Sequence, residues 1–184
     1  MKPVAWDQVR RLLICRTDHI GDLVVSTPAL RSFRERLPQA RICHLVAPAS
    51  RGLVEGSGWA DDVITPDQLD RLRDFRADAA IGLSPRSATY GLLVQSRAPL
   101  RIGYAYAERP LSRLRCWWSL THTWITSLQK PLKLGLKVPH EAEVVARFVE
   151  ATGLGPVEIR PEFPLEPELV AWGREAAQNR PVLH

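Results

Sequence analysis

Short apolar segments alternate with longer amphipathic segments along most of the chain. The apolar segments are only a few residues long, which is too short for a stable helix and typical of buried strands. They predict strands at 12–15, 42–47, 62–65, 79–83 and 101–104. Helices are predicted between and after these strands, at 23–37, 49–55, 67–75, 87–96, 140–152 and 168–178.

This regular succession of strand and helix predicts the fold class. Parallel strands that are joined by helices form one sheet covered on both faces. We therefore expect an α/β protein with a Rossmann-like, doubly wound parallel sheet. Pro28 falls inside the first predicted helix. That helix either kinks at Pro28 or begins its regular part there, with Thr27 as the N-cap.

Two parts of the chain depart from this alternation. Residues 105–138 show no clean period, and we expect there a long insertion or mobile loop that holds one helix. Residues 156–167 are rich in proline and glutamate and predict an extended linker, whereas 180–184 resembles the opening of a further strand. We therefore expect one domain at 1–155, and at 156–184 a linker, a helix and the start of a second domain that the chain lacks.

The composition of the 184 residues, 45% hydrophobic and 24% charged, is that of an ordinary globular protein. The apolar runs are far shorter than the roughly 20 residues of a membrane span, and the N-terminus lacks a signal-peptide core, so we expect a cytoplasmic protein. Cys15, Cys43 and Cys116 form no CxxC pair and predict buried reduced thiols. The histidine spacing indicates no metal site.

The net charge of +5 is concentrated in one segment. Residues 95–137 contain eight basic side chains and a single acidic one, Glu108, which favours an anionic partner. Trp117, Trp118 and Trp124 are interleaved with these charges and either form an interfacial belt on a membrane or pack in the core. Single-stranded nucleic acid is a weaker interpretation, because no nucleic-acid-binding motif accompanies the aromatic residues.

The turn RTDHIGD at 16–22 is the most informative motif, because it leaves the first predicted strand. In open α/β sheets, ligands bind outside the carboxyl ends of the strands. Gly21 permits a ligand to approach the backbone, and Asp22 either caps the helix or acts as a general base. Asp18 either joins this chemistry or hydrogen-bonds its own backbone. The sequence contains neither GxGxxG nor GxxxxGK[ST], which argues against dinucleotide dehydrogenases and P-loop proteins.

Several motifs together resemble one protein family. They are LICRTDHIGDLVVSTPAL at 13–30, RERLPQARI at 34–42, LVAP at 45–48, DAAIGLSPR at 78–86, APLRIGY at 98–104 and ERP at 108–110, followed by His140 at the start of a helix. In this order and spacing they resemble the N-terminal domain of family 9 glycosyltransferases, the lipopolysaccharide heptosyltransferases. The resemblance covers nearly all of residues 12–155.

The resemblance implies a GT-B architecture, in which the N-terminal Rossmann-like domain holds the acceptor and the C-terminal domain holds the nucleotide-sugar. Residues 1–155 would form the acceptor-binding domain. Asp22 would be the catalytic base of an inverting transfer of heptose or a related sugar from an ADP-sugar to a lipopolysaccharide core or similar envelope glycan. The family needs no metal and no cofactor, since the ADP-sugar is the donor substrate.

The resemblance and the motif placement also nominate substrate-binding residues. Those in the turn are Thr17, Asp18, His19 and Gly21. We place Arg86, Arg101 and Arg109 near acceptor phosphate or carboxylate, because a planar guanidinium binds such groups through two hydrogen bonds. Arg109 matches an arginine that the family uses toward the acidic inner core. For each arginine the alternative is a solvated or structurally paired surface residue.

We therefore predict the acceptor-binding half of a heptosyltransferase-like enzyme. Its partners would be an anionic lipid-linked glycan, an ADP-sugar bound by the missing domain, and the inner face of the cytoplasmic membrane through peripheral contact, with no nucleic acid. The chain alone is expected to bind acceptor without transferring sugar. Two alternatives stay open: a binding module that keeps the fold without catalysis, and an unrelated nucleotide-binding α/β protein.

Overall fold

The computed structural model describes residues 1–160 and 167–177. Its six strands are β1 Arg11–Arg16, β2 Arg41–Val46, β3 Asp62–Ile64, β4 Ala79–Gly82, β5 Leu100–Tyr106 and β6 His122–Thr126. They form one sheet in the order β3-β2-β1-β4-β5-β6, and all neighbouring strands are parallel. The five predicted strands are present within two residues at each end. The predicted Rossmann-like doubly wound sheet is confirmed.

The helices connect and cover the strands. They are α1 Ile20–Arg36, α2 Arg51–Glu55, α3 Leu69–Asp74, α4 Ser87–Gln95, α5 Pro110–Ser119, α6 Gln129–Lys133, α7 Glu141–Ala151 and α8 Pro167–Ala177, with short 3₁₀ helices at Trp6–Gln8 and Pro48–Ser50. The predicted helix at 168–178 is present as α8 up to residue 177. The predicted strand at 180–184 and positions 161–166 of the predicted linker lie outside the described residues.

The sheet separates two apolar cores, because consecutive side chains of a strand point to opposite faces. Along β1, Leu12 and Ile14 pack in the core that α1 and α7 cover. Leu13 and Cys15 pack in the core that α3, α4 and α5 cover. The alternation explains why all four positions are apolar: both faces of this central strand are buried.

The three cysteines are buried free thiols, as predicted. Cys15 lies on β1 and Cys43 on β2, both on the face toward α3 and α4. Burial raises the pKa of each of these two thiols to about 12. Both are therefore protonated near neutral pH and act as small apolar core residues.

Helix α1 is continuous through Pro28, which is buried in its interior. It begins at Ile20, so the alternative in which the regular helix starts with Thr27 as N-cap is wrong. Proline has no N–H for the carbonyl of residue 24. The Thr27 hydroxyl donates instead to the Val24 carbonyl at 2.8 Å, which supplies that carbonyl with a donor from the preceding residue.

The expectation of a long insertion at 105–138 is wrong. This segment completes β5 and then contributes α5, the edge strand β6 and α6. Strand β6 extends the parallel sheet by pairing with β5, from Ile102 opposite His122 to Tyr106 opposite Thr126. The pattern concealed these elements because β6 lies at the sheet edge with mixed polar residues and α5 carries apolar side chains on its exposed surface.

The topology creates a crevice between β1 and β4. From β1 the chain turns to β2 on one side, whereas β4, the neighbour on the other side, belongs to the second half of the sheet. Ligands of doubly wound proteins bind at such a switch point, outside the carboxyl ends of the strands. None of the helices in residues 1–160 and 167–177 has the length and apolar character to cross a membrane.

Candidate functional site

The predicted turn lies at this switch point. Strand β1 ends at Arg16, and the turn of residues 17–19 leads directly into α1. Ser84 and Arg86 follow the end of β4 and face the turn across the crevice. The first turn of α7 adds Glu141. Three segments distant in sequence, the β1–α1 turn, the residues after β4 and the first turn of α7, therefore converge on one edge of the sheet.

Arg16 is the centre of this cluster and is almost fully buried, with 2% of its side chain exposed. Its Nε donates to the Asp22 carbonyl oxygen at 3.1 Å, which ties β1 to the first turn of α1. Its Nη1 donates to the Leu83 carbonyl oxygen, which ties β1 to the segment after β4. The guanidinium is thus a fixed cross-link between the two sides of the crevice.

Three carboxylates surround the same guanidinium. Asp18 Oδ1 lies 3.6 Å from Nε, whereas Asp22 Oδ1 and Glu141 Oε1 lie 3.5 and 3.7 Å from Nη2. A buried cation requires such partners, because the loss of its hydration is costly. Three formal negative charges meet one buried positive charge, so the cluster around Arg16 is acidic overall. We name it the Arg16 cluster.

Asp18 is held across the crevice. The Ser84 hydroxyl donates to Asp18 Oδ2 at 2.6 Å, and Arg86 Nε lies 3.5 Å from the same oxygen. Only 5% of the Asp18 side chain is exposed. Its Oδ1 is buried without a hydrogen-bond partner among the described residues and faces Arg16 only as an ion pair. Asp18 therefore joins the two sides of the crevice.

Asp22 occupies the third position of α1, where its carboxylate both caps the helix and faces Arg16. Oδ2 accepts a hydrogen bond from the backbone N–H of the N-cap residue His19 at 3.3 Å, which completes a capping box. Oδ1 faces Arg16. One third of the side chain remains exposed in the crevice. Asp22 therefore caps the helix from its third position, whereas the N-cap residue itself is His19, and the carboxylate remains accessible to a ligand.

Glu141 connects the cluster to two tyrosines of β5. The hydroxyl groups of Tyr104 and Tyr106 each donate to a Glu141 carboxylate oxygen at 2.9 Å. Burial, and then the negative charge of Glu141, raise the pKa of both phenols well above the ordinary value of tyrosine. Both hydroxyl groups are therefore protonated donors at neutral pH, and they hold the carboxylate toward Arg16.

The sequence reasoning missed Arg16, Glu141 and the two tyrosines as site residues. A signal for Arg16 is present in the sequence, since a charged residue ends a buried apolar strand and requires a buried partner. Glu141 and the tyrosines carry no comparable signal. A glutamate in a first helical turn is ordinary, and its approach to β5 depends on how α7 packs.

The remaining predicted residues of the RTDHIGD motif lie next to Asp18 and Asp22 in the chain. His19 and Gly21 are exposed, and Thr17 is half-buried. An added Cβ at Gly21 would meet no atom of the described chain within 4 Å, so this backbone faces open space. His140 is the N-cap of α7, in agreement with its predicted place at the start of a helix. Its Nδ1 accepts a hydrogen bond from the backbone N–H of Ala142 at 3.3 Å.

Two of the three predicted arginines lie at the same edge of the sheet as Asp22. Arg86 is the N-cap residue of α4, with 58% of its side chain exposed. Arg109 follows the carboxyl end of β5 as the N-cap residue of α5 and is exposed. Its guanidinium carbon lies 5.6 Å from the centre of the Tyr106 ring, a cation–π arrangement.

The structure does not bring Arg101 to this site. Arg101 lies near the amino end of β5, at the opposite edge of the sheet. Its Nε donates to the Ser119 carbonyl at 2.8 Å and its Nη1 to the Ala98 carbonyl at 2.7 Å. The side chain therefore secures the connections around β5, which corresponds to the structurally paired alternative. The direction of a parallel strand decides which of its arginines reach the ligand edge.

The tryptophans of the basic segment divide between the core and the solvent-exposed surface. Trp124 on β6 packs against the core, where its ring stacks on Phe148 with a centroid distance of 6.1 Å and an interplanar angle of 27°. Trp117 and Trp118 on α5 project into solvent, with 72% and 78% of their surface exposed. Core packing thus applies to the first and surface placement to the other two.

No group of three or more histidine, cysteine or carboxylate side chains within residues 1–160 and 167–177 is placed to hold a metal ion. The groups around the crevice are instead hydroxyl and guanidinium donors and carboxylate acceptors, which suit hydrogen bonding to a hydroxylated or phosphorylated ligand.

No family model and no curated protein matches the sequence. Solved structures do match the fold. A family 9 glycosyltransferase from Veillonella parvula superposes with a TM-score of 0.69 at 19% identity, over 95% of this chain and 50% of that one. The E. coli heptosyltransferase WaaC with ADP gives a TM-score of 0.63 at 17% identity, over 83% of this chain and 50% of that one.

E. coli ADP-heptose lipopolysaccharide heptosyltransferase II gives a TM-score of 0.61 at 16% identity, over 90% of this chain and 50% of that one. The resemblance predicted from the motifs is therefore confirmed at the level of the fold, which is that of a Rossmann-like half of these GT-B proteins. The chain spans about half the length of each solved protein.

Proposed function

We propose that the chain is the acceptor-binding half of a heptosyltransferase-like enzyme. The complete enzyme would move heptose or a related sugar from an ADP-sugar to a lipopolysaccharide core or similar anionic, lipid-linked envelope glycan at the cytoplasmic face of the inner membrane. One observation carries this proposal. A buried guanidinium positions the solvent-accessible carboxylate of Asp22 at the switch point of the sheet. The fold is similar to one half of each solved heptosyltransferase.

In the proposed reaction Asp22 is the general base. The carboxylate takes the proton of an acceptor hydroxyl as that oxygen attacks the anomeric carbon of the donor sugar. A new carbon–oxygen bond forms on one face of the sugar while the bond to the ADP oxygen breaks on the other, so the configuration is inverted. ADP leaves with the bonding electron pair, and the proton remains on Asp22 until solvent takes it.

Arg16 acts as a positioning residue in this mechanism. It holds the Asp22 backbone through its carbonyl and faces the Asp22 carboxylate with a second nitrogen, so the base has little freedom to rotate away. Glu141 and Asp18 keep the guanidinium in place from its other sides. Proton transfer depends on geometry at the scale of tenths of an ångström, and a rigid support favours it.

Acceptor recognition is assigned to exposed groups around the crevice. Arg86 and Arg109 lie at the same edge of the sheet as Asp22. Their exposed guanidinium groups suit phosphate or carboxylate substituents of the glycan. Thr17, His19 and Gly21 of the RTDHIGD motif, next to Asp22 in the chain, are the further candidates for acceptor contact. The donor site is expected in the half of the solved proteins that this chain does not span, and the chain alone is expected to bind acceptor without turnover.

The first test measures acceptor binding by the 184-residue chain with isothermal titration calorimetry. The probe is a phosphorylated core oligosaccharide, and its dephosphorylated form is the matched control ligand. The phosphorylated form is expected to bind more tightly, and Arg109→Ala is expected to reduce that difference. Arg101→Ala is the matched control variant, because Arg101 lies at the opposite edge. Equal binding of both ligands would contradict the proposed acceptor class.

A binding module without catalysis is the second candidate function. The capping box favours it, because the hydrogen bond from His19 gives Asp22 a structural reason to be present. Release of ADP by a two-domain protein that contains this chain distinguishes the two functions. Asp22→Asn retains a capping oxygen but cannot accept the proton. Lost turnover with retained acceptor binding supports the enzyme, and unchanged turnover supports the binding module.

A further inference from the structure

Helix α5 carries an apolar stripe on its exposed side. Leu111, Leu114, Trp117 and Trp118 are between 53% and 78% exposed. At 100° per residue these four positions share one side of the helix, and the fully buried Cys116 lies on the other. The exposed side of a soluble helix is normally polar. An exposed apolar stripe of this kind indicates a surface that binds a protein, a membrane or an apolar ligand.

Two arginines border this stripe. Arg113 and Arg115 are exposed, and the same helical geometry places one on each side of the four apolar residues. An apolar stripe with basic residues along both borders and tryptophan within it is characteristic of helices that lie at a lipid–water interface. We call these six residues the α5 face.

The inner side of α5 is firmly attached to the domain. The Ser112 hydroxyl donates to the Pro85 carbonyl at 3.3 Å, and Cys116 is completely buried. Helix α5 therefore already packs on the domain through its opposite side, and the apolar stripe is left on the surface. An open groove of about 470 Å³ lies beside the stripe. It is lined in part by Leu114 and Trp117 of α5 and by Ile125 of the edge strand β6.

The chain after β6 repeats the same chemistry. Helix α6 and the residues that follow it expose leucines and lysines in alternation. The exposed leucines are Leu132, Leu134 and Leu136, and the lysines are Lys130, Lys133 and Lys137. Glu108 is the single acidic residue between positions 95 and 137. The segment from α5 to Lys137 therefore combines exposed apolar side chains with the most basic part of the chain.

We propose that the α5 face docks on a bilayer containing anionic phospholipids. Negative headgroups complement the two arginines, and the interfacial region accepts the tryptophan and leucine side chains. Contact between two copies of the chain through this face would bring four arginines together without a nearby acid, which is unfavourable. Arg109, the N-cap of α5, lies at the same edge of the sheet as Asp22, so docking would bring that edge near a lipid-linked acceptor. This placement rests on the proposed function, whereas the docking itself does not.

The test is co-sedimentation of the 184-residue chain with vesicles that contain neither acceptor nor donor. Vesicles of equal parts phosphatidylglycerol and phosphatidylcholine are compared with phosphatidylcholine alone. We expect binding to the anionic vesicles that weakens at high salt. Arg113→Glu with Arg115→Glu should reduce the affinity at least about 25-fold, since each basic residue near such a surface contributes about fivefold. Leu114→Ser with Trp118→Ser should reduce it by at least about tenfold, since burial of even one large apolar side chain contributes about that much.

Matched control variants lie elsewhere on the surface. Trp172→Ser removes another tryptophan with 68% exposure, and Arg10→Glu reverses an exposed arginine at the opposite edge of the sheet. Trp172→Ser should leave vesicle binding unchanged, and Arg10→Glu should change it only by the small effect of two units of net charge. All substituted positions are exposed, and unchanged thermal unfolding confirms that each variant folds.

Two results would overturn the proposal. The first is failure of the wild-type chain to bind anionic vesicles, and the second is binding that the α5 face variants leave unchanged. If light scattering instead shows a dimer that these variants dissociate, the face is a self-association surface. Each of these results leaves the transferase proposal intact, because the vesicles contain no substrate. Conversely, failed sugar transfer by a two-domain protein would leave vesicle binding unaffected.

Discussion

Arg16 holds both the main chain and the side chain of Asp22. Its Nε donates to the Asp22 carbonyl at 3.1 Å, and its Nη2 lies 3.5 Å from the Asp22 carboxylate. A residue that ends a buried strand thereby determines the position of a carboxylate six residues later, at the start of a helix. This relationship links the stability of the domain to the geometry of the candidate site.

Replacement of Arg16 should therefore destabilise the domain strongly. Arg16→Met removes the cation shared by Asp18, Asp22 and Glu141, and it leaves the buried Asp18 without its buried counter-charge. We expect the free energy of unfolding to fall by about 3 kcal/mol or more, measured by urea denaturation at neutral pH.

Arg41→Met is the matched control for this prediction. Arg41 forms a shorter ion pair with Asp62, at 2.7 Å, but its side chain is 60% exposed. Solvent screens such a pair, so its removal should cost far less stability. Equal losses in the two variants would show that Arg16 is not an essential centre of the cluster.

Asp22→Asn should abolish sugar transfer without unfolding the domain. The amide oxygen can still accept the hydrogen bond from the His19 N–H, so the helix cap is retained. Loss of the general base is expected to lower kcat by about 10² to 10⁴-fold in a two-domain protein that contains this chain. The measurement is ADP release at saturating acceptor, with thermal unfolding of the variant as the check on folding.

Asp70→Asn provides the matched control for Asp22→Asn. Asp70 also lies in the first turn of a helix, α3, and its side chain is 96% exposed. Its replacement should leave kcat unchanged. A similar decrease in both variants would point to a general effect of lost negative charge rather than to a base.

The domain should lose stability in mild acid because of His44. This histidine of β2 is fully buried, and burial together with the charge of Arg34 lowers its pKa to about 3, whereas Asp61 acts in the opposite direction. The folded state binds no proton at His44 until the pH approaches 3, but the unfolded chain binds one below about 6.5. Stability is therefore unaffected above 6.5 and decreases as the pH falls below it, by about 2 kcal/mol between pH 6.5 and 4.5.

His44→Leu should remove this pH dependence. Neither ring nitrogen has a hydrogen-bond partner among the described residues, so an apolar side chain of similar size leaves no new polar group unsatisfied. Urea denaturation of both proteins between pH 4.5 and 7.5 measures the effect. Parallel stability curves for the two proteins would contradict the assignment to His44.

Two glycines near the crevice should respond in opposite directions to alanine. At Gly82, the end of β4, an added Cβ would lie 2.7 Å from the Cγ2 of buried Thr89, so Gly82→Ala should destabilise by about 1 to 3 kcal/mol. At Gly91, inside α4, an added Cβ meets no atom within 4 Å. Gly91→Ala should stabilise the domain by about 1 kcal/mol, because alanine favours the helix. Thermal unfolding measures both, and shifts of the same sign would contradict the packing argument.

The elements could be predicted from the sequence wherever burial sets a simple pattern. The central strands are buried on both faces and therefore appear as uninterrupted apolar runs, as at 12–15 and 79–83. Strand β6 and helix α5 escaped this reasoning because the first is a half-exposed edge strand and the second exposes apolar side chains. A pattern based on burial cannot identify an element whose exposed surface is not polar.

The sequence by itself determined the doubly wound fold and placed Asp18 and Asp22 beside the carboxyl end of a strand. Both follow from local order along the chain, since a turn must leave the strand that precedes it. Only the tertiary structure decided that Glu141 completes the Arg16 cluster, that Ser84 holds Asp18 across the crevice and that Arg101 lies at the opposite edge. Those outcomes depend on strand order and helix packing between positions far apart in sequence, where the periodicity of a single segment contains no information.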